Sequence, residues 1–187
     1  MANNQYGAYH LADNPELYDV VRDNNFSFIV TDIDGLINVS SGQTISNAQK
    51  TLEFSVVSAS IPMFKQEPIT IRRGNSVVKL AGAPSFDDGK IVVNDYIGAD
   101  TKSVLMSWQN LSYDVKNETI GRASSYKKTC YLIEYTPDYK QVRTWKLYGC
   151  WVQGLDEGEF NSENSGKKTI TATISFDKAV MELPEEE

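Results

Sequence analysis

Histidine is almost missing from this 187-residue chain, with His10 as its single example, and the two cysteines, Cys130 and Cys150, have no CxxC spacing. That combination excludes the usual zinc-ligand patterns. It also leaves any Ser or Cys nucleophile without a neighbouring base, because the one imidazole stands far upstream. No GxxxxGK[ST] phosphate loop occurs. No apolar run reaches the roughly 18–20 residues needed to cross a bilayer. The opening MANNQYGAYHLADNPELYD has neither a basic n-region nor an apolar h-region, so no leader is expected and the protein is expected to stay soluble inside a cell. There, both cysteines are expected as buried thiols rather than a disulfide. Cations are also short: 18 Lys and Arg face 25 Asp and Glu, a net charge of −7 with a pI near 4.8. Tight binding to a phosphate backbone needs clustered cations, so such binding is not expected.

What is present is ordinary for a globular protein: 41% hydrophobic and 23% charged residues. A chain of this length buries roughly 70% of its unfolded surface. A single domain over residues 1–187 is expected, with 1–24 as an N-terminal arm or short helix and 180–187 as an acidic C-terminal tail. Asp13 or Asn14, followed by Pro15, has the form of a helix start, with Leu17, Val20 and Val21 facing inward.

Extended patterns dominate. FSFIVTDI alternates, placing Phe26, Phe28 and Val30 on one face, and Asp34-Gly35 is a turn signal. Gly35 to Lys50, rich in Ser, Asn and Gly, is expected as a long loop. TLEFSVVSASI is expected as a strand with Leu52, Phe54 and Val56 on one face. From Ile61 to Phe86 two extended pieces break at Gly74-Asn75, which predicts a long protruding hairpin carrying Arg72, Arg73 and Lys79 in an otherwise acidic chain. That local excess of cations suits an acidic docking partner or plain solubility. KIVVNDY is a further strand. Val104, Leu105, Trp108 and Leu111 then follow helical spacing behind a cap at Asp100 or Thr101, the one main helix. Three strands close the chain: KTCYLIEY, VRTWKLYGCWV and KTITATISFDKAV. In the last, Ile170, Ala172, Ile174 and Phe176 alternate with Thr169, Thr171, Thr173 and Ser175, one buried face and one wet face of small hydroxyls.

Chemistry finds little foothold. Asp32-Ile33-Asp34-Gly35 opens like a calcium loop but lacks its third acid and closing Glu, so it is a strand end and a turn. Asp87, Asp88 and Asp95 are paired carboxylates of the kind that serve acid–base or metal chemistry, yet Asp-Gly is turn chemistry and no His ligand accompanies them. Tyr131, Tyr135, Tyr139, Trp145, Tyr148 and Trp151 are either core and interface or a sugar-stacking platform. No enzyme is expected, and no cofactor.

The order of motifs is more specific than any one of them. Phe86-Asp87-Asp88 leads into a strand closing at Asn94-Asp95; Trp108-Gln109 sits in the helix that follows. Tyr126-Lys127-Lys128 enters a strand, and Gly149-Cys150-Trp151 precedes a loop and the last alternating strand. From about Thr51 to Ala179 this order resembles the tail tube proteins of contractile-tailed, T-even-like bacteriophages. The chain departs from them at Val152, where many relatives have proline, and in the Gly35 to Lys50 loop, the N-terminal extension and the acidic tail.

The resemblance implies a mainly β fold: a tail-tube-type β-sandwich or barrel with one flanking α-helix and a long protruding hairpin. It implies hexameric rings stacked into a hollow conduit for ejected genomic DNA. Its partners would be further copies of itself, a tail sheath protein, baseplate and tail terminator proteins, and a tape-measure protein in the lumen, with DNA passing transiently and no membrane engaged. The protein would be a virion component assembled in the host cytoplasm. On this reading Arg72, Arg73, Lys79 and Phe86 are candidate contacts between rings. Thr169, Thr171 and Thr173 are candidates for the lumen or inner sheet, where hydroxyls or acids let phosphate pass. Asp87, Asp88, Asn94, Asp95, Trp108, Tyr126, Lys127, Lys128, Gly149 and Trp151 are structural positions of the family motifs. Two other readings are a tube subunit of a phage-related contractile injection or secretion system and a monomeric β-sandwich carbohydrate-binding module.

Overall fold

The strand β9 (Gln141–Asp156) organises the molecule, described by a computed structural model over residues 20–39, 41–60, 63–98, 100–163 and 165–183. Sixteen residues are too many for one flat ladder, and β9 changes partners midway, at Gly149 with its φ of 69°. Its first half pairs with β8 (Lys128–Tyr135) on one side and β11 (Lys178–Glu182) on the other. Its second half pairs with β10 (Thr169–Ser175). The seven-stranded sheet continues from β8 to β1 (Phe26–Val30), and from β10 through β5 (Gly89–Asn94) to β2 (Val56–Ala59), every pair antiparallel. Val30, Leu132 and Leu147 from one half share a single core with Ile91, Val93, Ile170 and Ala172 from the other, so the sheet folds over on itself as the resemblance implies.

The alternation in TITATIS is realised as expected: Ile170, Ala172 and Ile174 are buried and the threonines between them half-buried. The alternating FSFIV run likewise places Phe28 and Val30 in the core with Phe26 packed against it. KTITATISFDKAV, however, is not one strand. It breaks at Asp177, and the chain returns as β11 to a different stretch of the same β9. The tail expected from residue 180 therefore starts later, because Val180, Met181 and Glu182 pair with Lys146, Trp145 and Thr144. Residues 184–187, and the helix or arm expected before residue 20, lie outside the described residues.

Helix α1 (Ala48–Ser55) replaces half of the strand expected over TLEFSVVSASI. Leu52 and Phe54 do not share a face: Leu52 is fully buried and Phe54 is 73% exposed. Ala48, Leu52 and Ser55 form the inward stripe at helical spacing. Asn47 makes no side-chain cap; instead Asp34, thirteen residues upstream of it in sequence, accepts from the backbone N–H of Gln49 at 3.1 Å. The Gly35 to Lys50 stretch thus contains a helix start and an isolated bridge between Ile37 and Thr44.

Helix α2 (Thr101–Asn110) is the expected flanking helix, and Asp100 is its cap, accepting from Ser103 N at 3.3 Å. Trp108 is wholly buried. Ser55 and Thr101, both buried, hydrogen-bond at 2.8 Å and tie α1 to α2. A short pair, β6 (Tyr113–Asp114) with β7 (Thr119–Ile120), and a four-residue helix, α3 (Ala123–Tyr126), lead into β8.

Candidate functional site

The expected hairpin is present, as β3 (Phe64–Arg73) and β4 (Ser76–Phe86) joined at Gly74-Asn75. Every residue of β3 is exposed, and all of β4 except Gly82 and Phe86. A bulge between Gln66 and Pro68 shifts the register. Gly82 sits opposite it, where a Cβ would lie 3.3 Å from the Glu67 carbonyl carbon and nearer still to its oxygen.

Residues directly opposite in an antiparallel pair share a face, so the register sorts the hairpin into two unlike surfaces. Ile69, Ile71, Val78 and Leu80 lie together, with Arg73 and Ser76 at the tip end. Thr70, Lys79, Arg72 and Val77 lie on the reverse. The three cations expected to act together are thus divided: Arg72 and Lys79 are diagonal neighbours, and Arg73 faces the other way. None of the three makes an ion pair among the described residues. The aliphatic face stands 40–55% exposed, with no described helix or strand packed across it. A free two-stranded hairpin is marginal in water, so such a face calls for a cover.

Phe86 belongs to the root rather than the tip. Its ring contacts Phe64 at 6.2 Å and the core Phe176 at 5.7 Å between centroids, and Lys65 pairs with Asp87 beside it. This aromatic ladder fixes the hairpin to the body of the protein.

Thr169, Thr171 and Thr173 lie mid-sheet on the face turned away from the core, opposite Asn94, Val92 and Lys90. The hydroxyl face therefore includes one exposed cation, Lys90.

Three of the four sequence motifs meet at one place. Trp108 donates its indole N–H to the Tyr126 carbonyl at 3.0 Å, and the Tyr126 ring meets Trp151 edge-on at 5.8 Å. Lys127, next in the chain, grips both oxygens of Asp177 at 2.7 and 2.8 Å, and that carboxylate lies against Gly149. The hydrogen bond that Lys127 donates to Asp177 holds its ammonium above the ordinary range. Lys128 pairs with Cys150 in the ladder. The remaining motif brackets β5: Asn94 donates to the Tyr96 hydroxyl at 3.2 Å, Asp95 N donates to Lys168 O at 3.1 Å, and Asp88 follows Asp87 in the turn. These carboxylates do not converge, and no group of three or more metal-ligating side chains occurs among the described residues. The late aromatics disperse too: Trp145 packs on the core, Tyr131 and Tyr148 flank Lys146, and Tyr139 sits in an exposed turn. Cys130 and Cys150 are fully buried free thiols, and burial pushes the Cys130 thiol well up.

Sequence reasoning missed Asp177, and it missed Glu157, which joins Lys102 at 2.8 Å to Lys168 at 3.3 Å and so pins the β9–β10 loop to α2. No local pattern marks either residue, because their partners are 50 and 55 positions away. The hydrogen bond from Lys102, with a second from Lys168, holds the Glu157 carboxyl below its usual range.

The T4-like virus tail tube protein gp19 family matches residues 24–179. The tail tube protein gp19 of Enterobacteria phage T4 is 24% identical over 136 residues, covering 71% of this chain and 83% of that protein. Among solved structures, the anti-feeding prophage tube-terminating cap superposes with a TM-score of 0.64 at 12% identity, over 88% of this chain and 92% of that one. The sheath-tube complex of an extracellular contractile injection system, PVC, gives 0.61 at 15% identity, over 95% and 99%. With the family matching residues 24–179, most of its length, the chain belongs to the T4-like virus tail tube protein gp19 family, and it is a tube subunit.

Proposed function

We propose that copies of this chain close into hexameric rings that stack into a hollow tail tube, with the hairpin reaching between rings and the sheet face of Thr169, Thr171 and Thr173 turned to the lumen. Head-to-tail contacts close into rings when the rotation allows, and stacked rings form a tube without a built-in length. The observation that carries this reading is the hairpin: a long two-stranded arm, anchored by Phe86 and Phe176, presents an exposed aliphatic face and three cations without an ion pair among the described residues. The conduit would carry genomic DNA past small hydroxyls. A tape-measure protein would set the length, and baseplate and terminator proteins would bound the ends. The Gly35 to Lys50 stretch and the C-terminal tail would lie outside, toward a sheath. No catalytic step is assigned to the chain.

Electron microscopy of the purified protein at low and high concentration, with light scattering on the same samples, tests the reading. Rings or hollow tubes are expected, seeded by baseplate if nucleation is slow. A particle that stays monomeric even with baseplate present overturns it. The likeness of fold to the PVC tube favours a second reading, a tube that delivers protein. Nuclease digestion of particles stalled during ejection separates the two, since only a DNA conduit holds nuclease-protected DNA in its lumen.

A further inference from the structure

The body of the protein has a second apolar surface that no described residue covers. It is a groove of about 620 Å³ where α2, β6 and the second half of β9 meet, lined by Val39, Met106, Tyr113, Val115, Trp151 and Gln153 among others. Val115 is 74% exposed, and Val39, Tyr113 and Met106 stand open beside it. No residue of β3 or β4 lines this groove, so one chain does not cover its own hairpin with it. Two apolar surfaces on different parts of one molecule, each without a cover among the described residues, are what a head-to-tail contact between copies requires.

Charge points the same way. Arg72, Arg73 and Lys79 make no ion pair with any described residue of their own chain. Asp114 lies in the groove lining, and its carboxyl is held below the usual range by the Asn117 side chain at 2.6 Å, which keeps it ionised. Beyond Gln153, β9 ends at the exposed Asp156 and runs into a loop with the exposed Glu159, whereas Glu157 between them is already paired with Lys102 and Lys168. Lys116 is the one cation among the lining residues. From Ile71 to the turn at Gly74 is about 10 Å of strand, so Arg73 and the tip extend past the stripe when the stripe lies in the groove.

We propose that the groove lined by Val39, Met106, Tyr113, Val115 and Trp151 receives the aliphatic face of the β3–β4 hairpin, Ile69, Ile71, Val78 and Leu80, from a second copy of this chain. The assignment rests on the tube reading and adds the receiving surface and the face that enters it. The reverse face, with Arg72 and Lys79, then stays toward the rim.

A cysteine pair tests it. Both native thiols are fully buried, so Val78→Cys and Val115→Cys together supply the reactive pair. Oxidising assembled tubes with copper phenanthroline should give a ladder of covalent multimers on a non-reducing gel, and neither single variant should give one. Tubes that form without a ladder overturn the groove assignment and leave the tube reading intact, including when Val115→Cys becomes shielded by some other segment. Failure of the unsubstituted protein to form rings or tubes overturns the reading beneath. If the cysteine pair blocks assembly, Val115→Asp decides: the melting temperature of the monomer should hold while tubes are lost, and tubes grown by that variant overturn the assignment.

Discussion

The Asp177 carboxylate occupies the space that a side chain at Gly149 would need. A Cβ there would lie 2.8 Å from Asp177 Cγ and closer still to Oδ2, and the backbone already stands at a φ of 69°. Gly149 is where β9 exchanges one set of partners for another, and Asp177 is where the chain passes from β10 to β11, its N–H bonded to Tyr148 O at 2.9 Å. Lys127 closes the constellation. Gly149→Ala would add left-handed strain on the order of 1–2 kcal/mol and displace the carboxylate from Lys127. At about 2–4 °C per kcal/mol for a chain of this size, the melting temperature should fall by about 2–8 °C. An unchanged melting curve would show that the bend tolerates a side chain.

Trp108→Phe should lower stability by about 1–3 kcal/mol or more, because the Tyr126 carbonyl loses its donor and the smaller ring leaves a cavity in the core. The urea midpoint reports it. A loss confined to the midpoint, with the slope unchanged, would show that the helix stays docked.

Glu157 links loop anchoring to pH. Its carboxyl is held low by Lys102 and Lys168 in the folded chain, so its stabilisation is complete above the unfolded pKa of about 4.3 and is lost as pH falls through the lower folded value. Glu157→Gln should therefore be less stable than the unsubstituted protein at neutral pH, with the two converging in stronger acid. A gap that stays constant across that titration would contradict an electrostatic anchor.

Removing the chain from Val180 onward strips three ladder pairs from β11 and uncovers β9 from Thr144 to Lys146. Such a truncation should lower the melting temperature, whereas one that removes only residues 184–187 should not. Equal melting for both truncations would mean that β11 adds nothing to the sheet.

Deleting residues 66–80 leaves the Phe64, Phe86 and Phe176 ladder in place. The shortened chain should keep its circular dichroism and melting temperature while losing tube growth. Long tubes grown from it would remove the hairpin from assembly altogether.

Much of the architecture was legible locally, wherever a period ran uninterrupted. Thr169 to Phe176 alternates, Val104 to Leu111 steps by helical turns, and the exposed hairpin breaks where Gly74-Asn75 says it should. Leu52, Phe54 and Val56 alternate as well, yet Thr51 to Ser55 is helical. A run of five residues satisfies both periods, and the choice fell to the burial of Leu52 and Ser55 and to Asp34 supplying the missing cap.

The sequence by itself determined the class of fold, the hairpin, the flanking helix and the family, because strand period, turn residues and motif order are properties of neighbours along the chain. Tertiary structure alone decided that β9 serves both halves of the sheet and that Lys127 meets Asp177. It also turned Arg72 and Arg73 to opposite faces of the hairpin and split the last strand at Asp177. Those outcomes depend on register and on partners about fifty residues away, and a chain read one neighbourhood at a time carries no record of which distant residue will arrive.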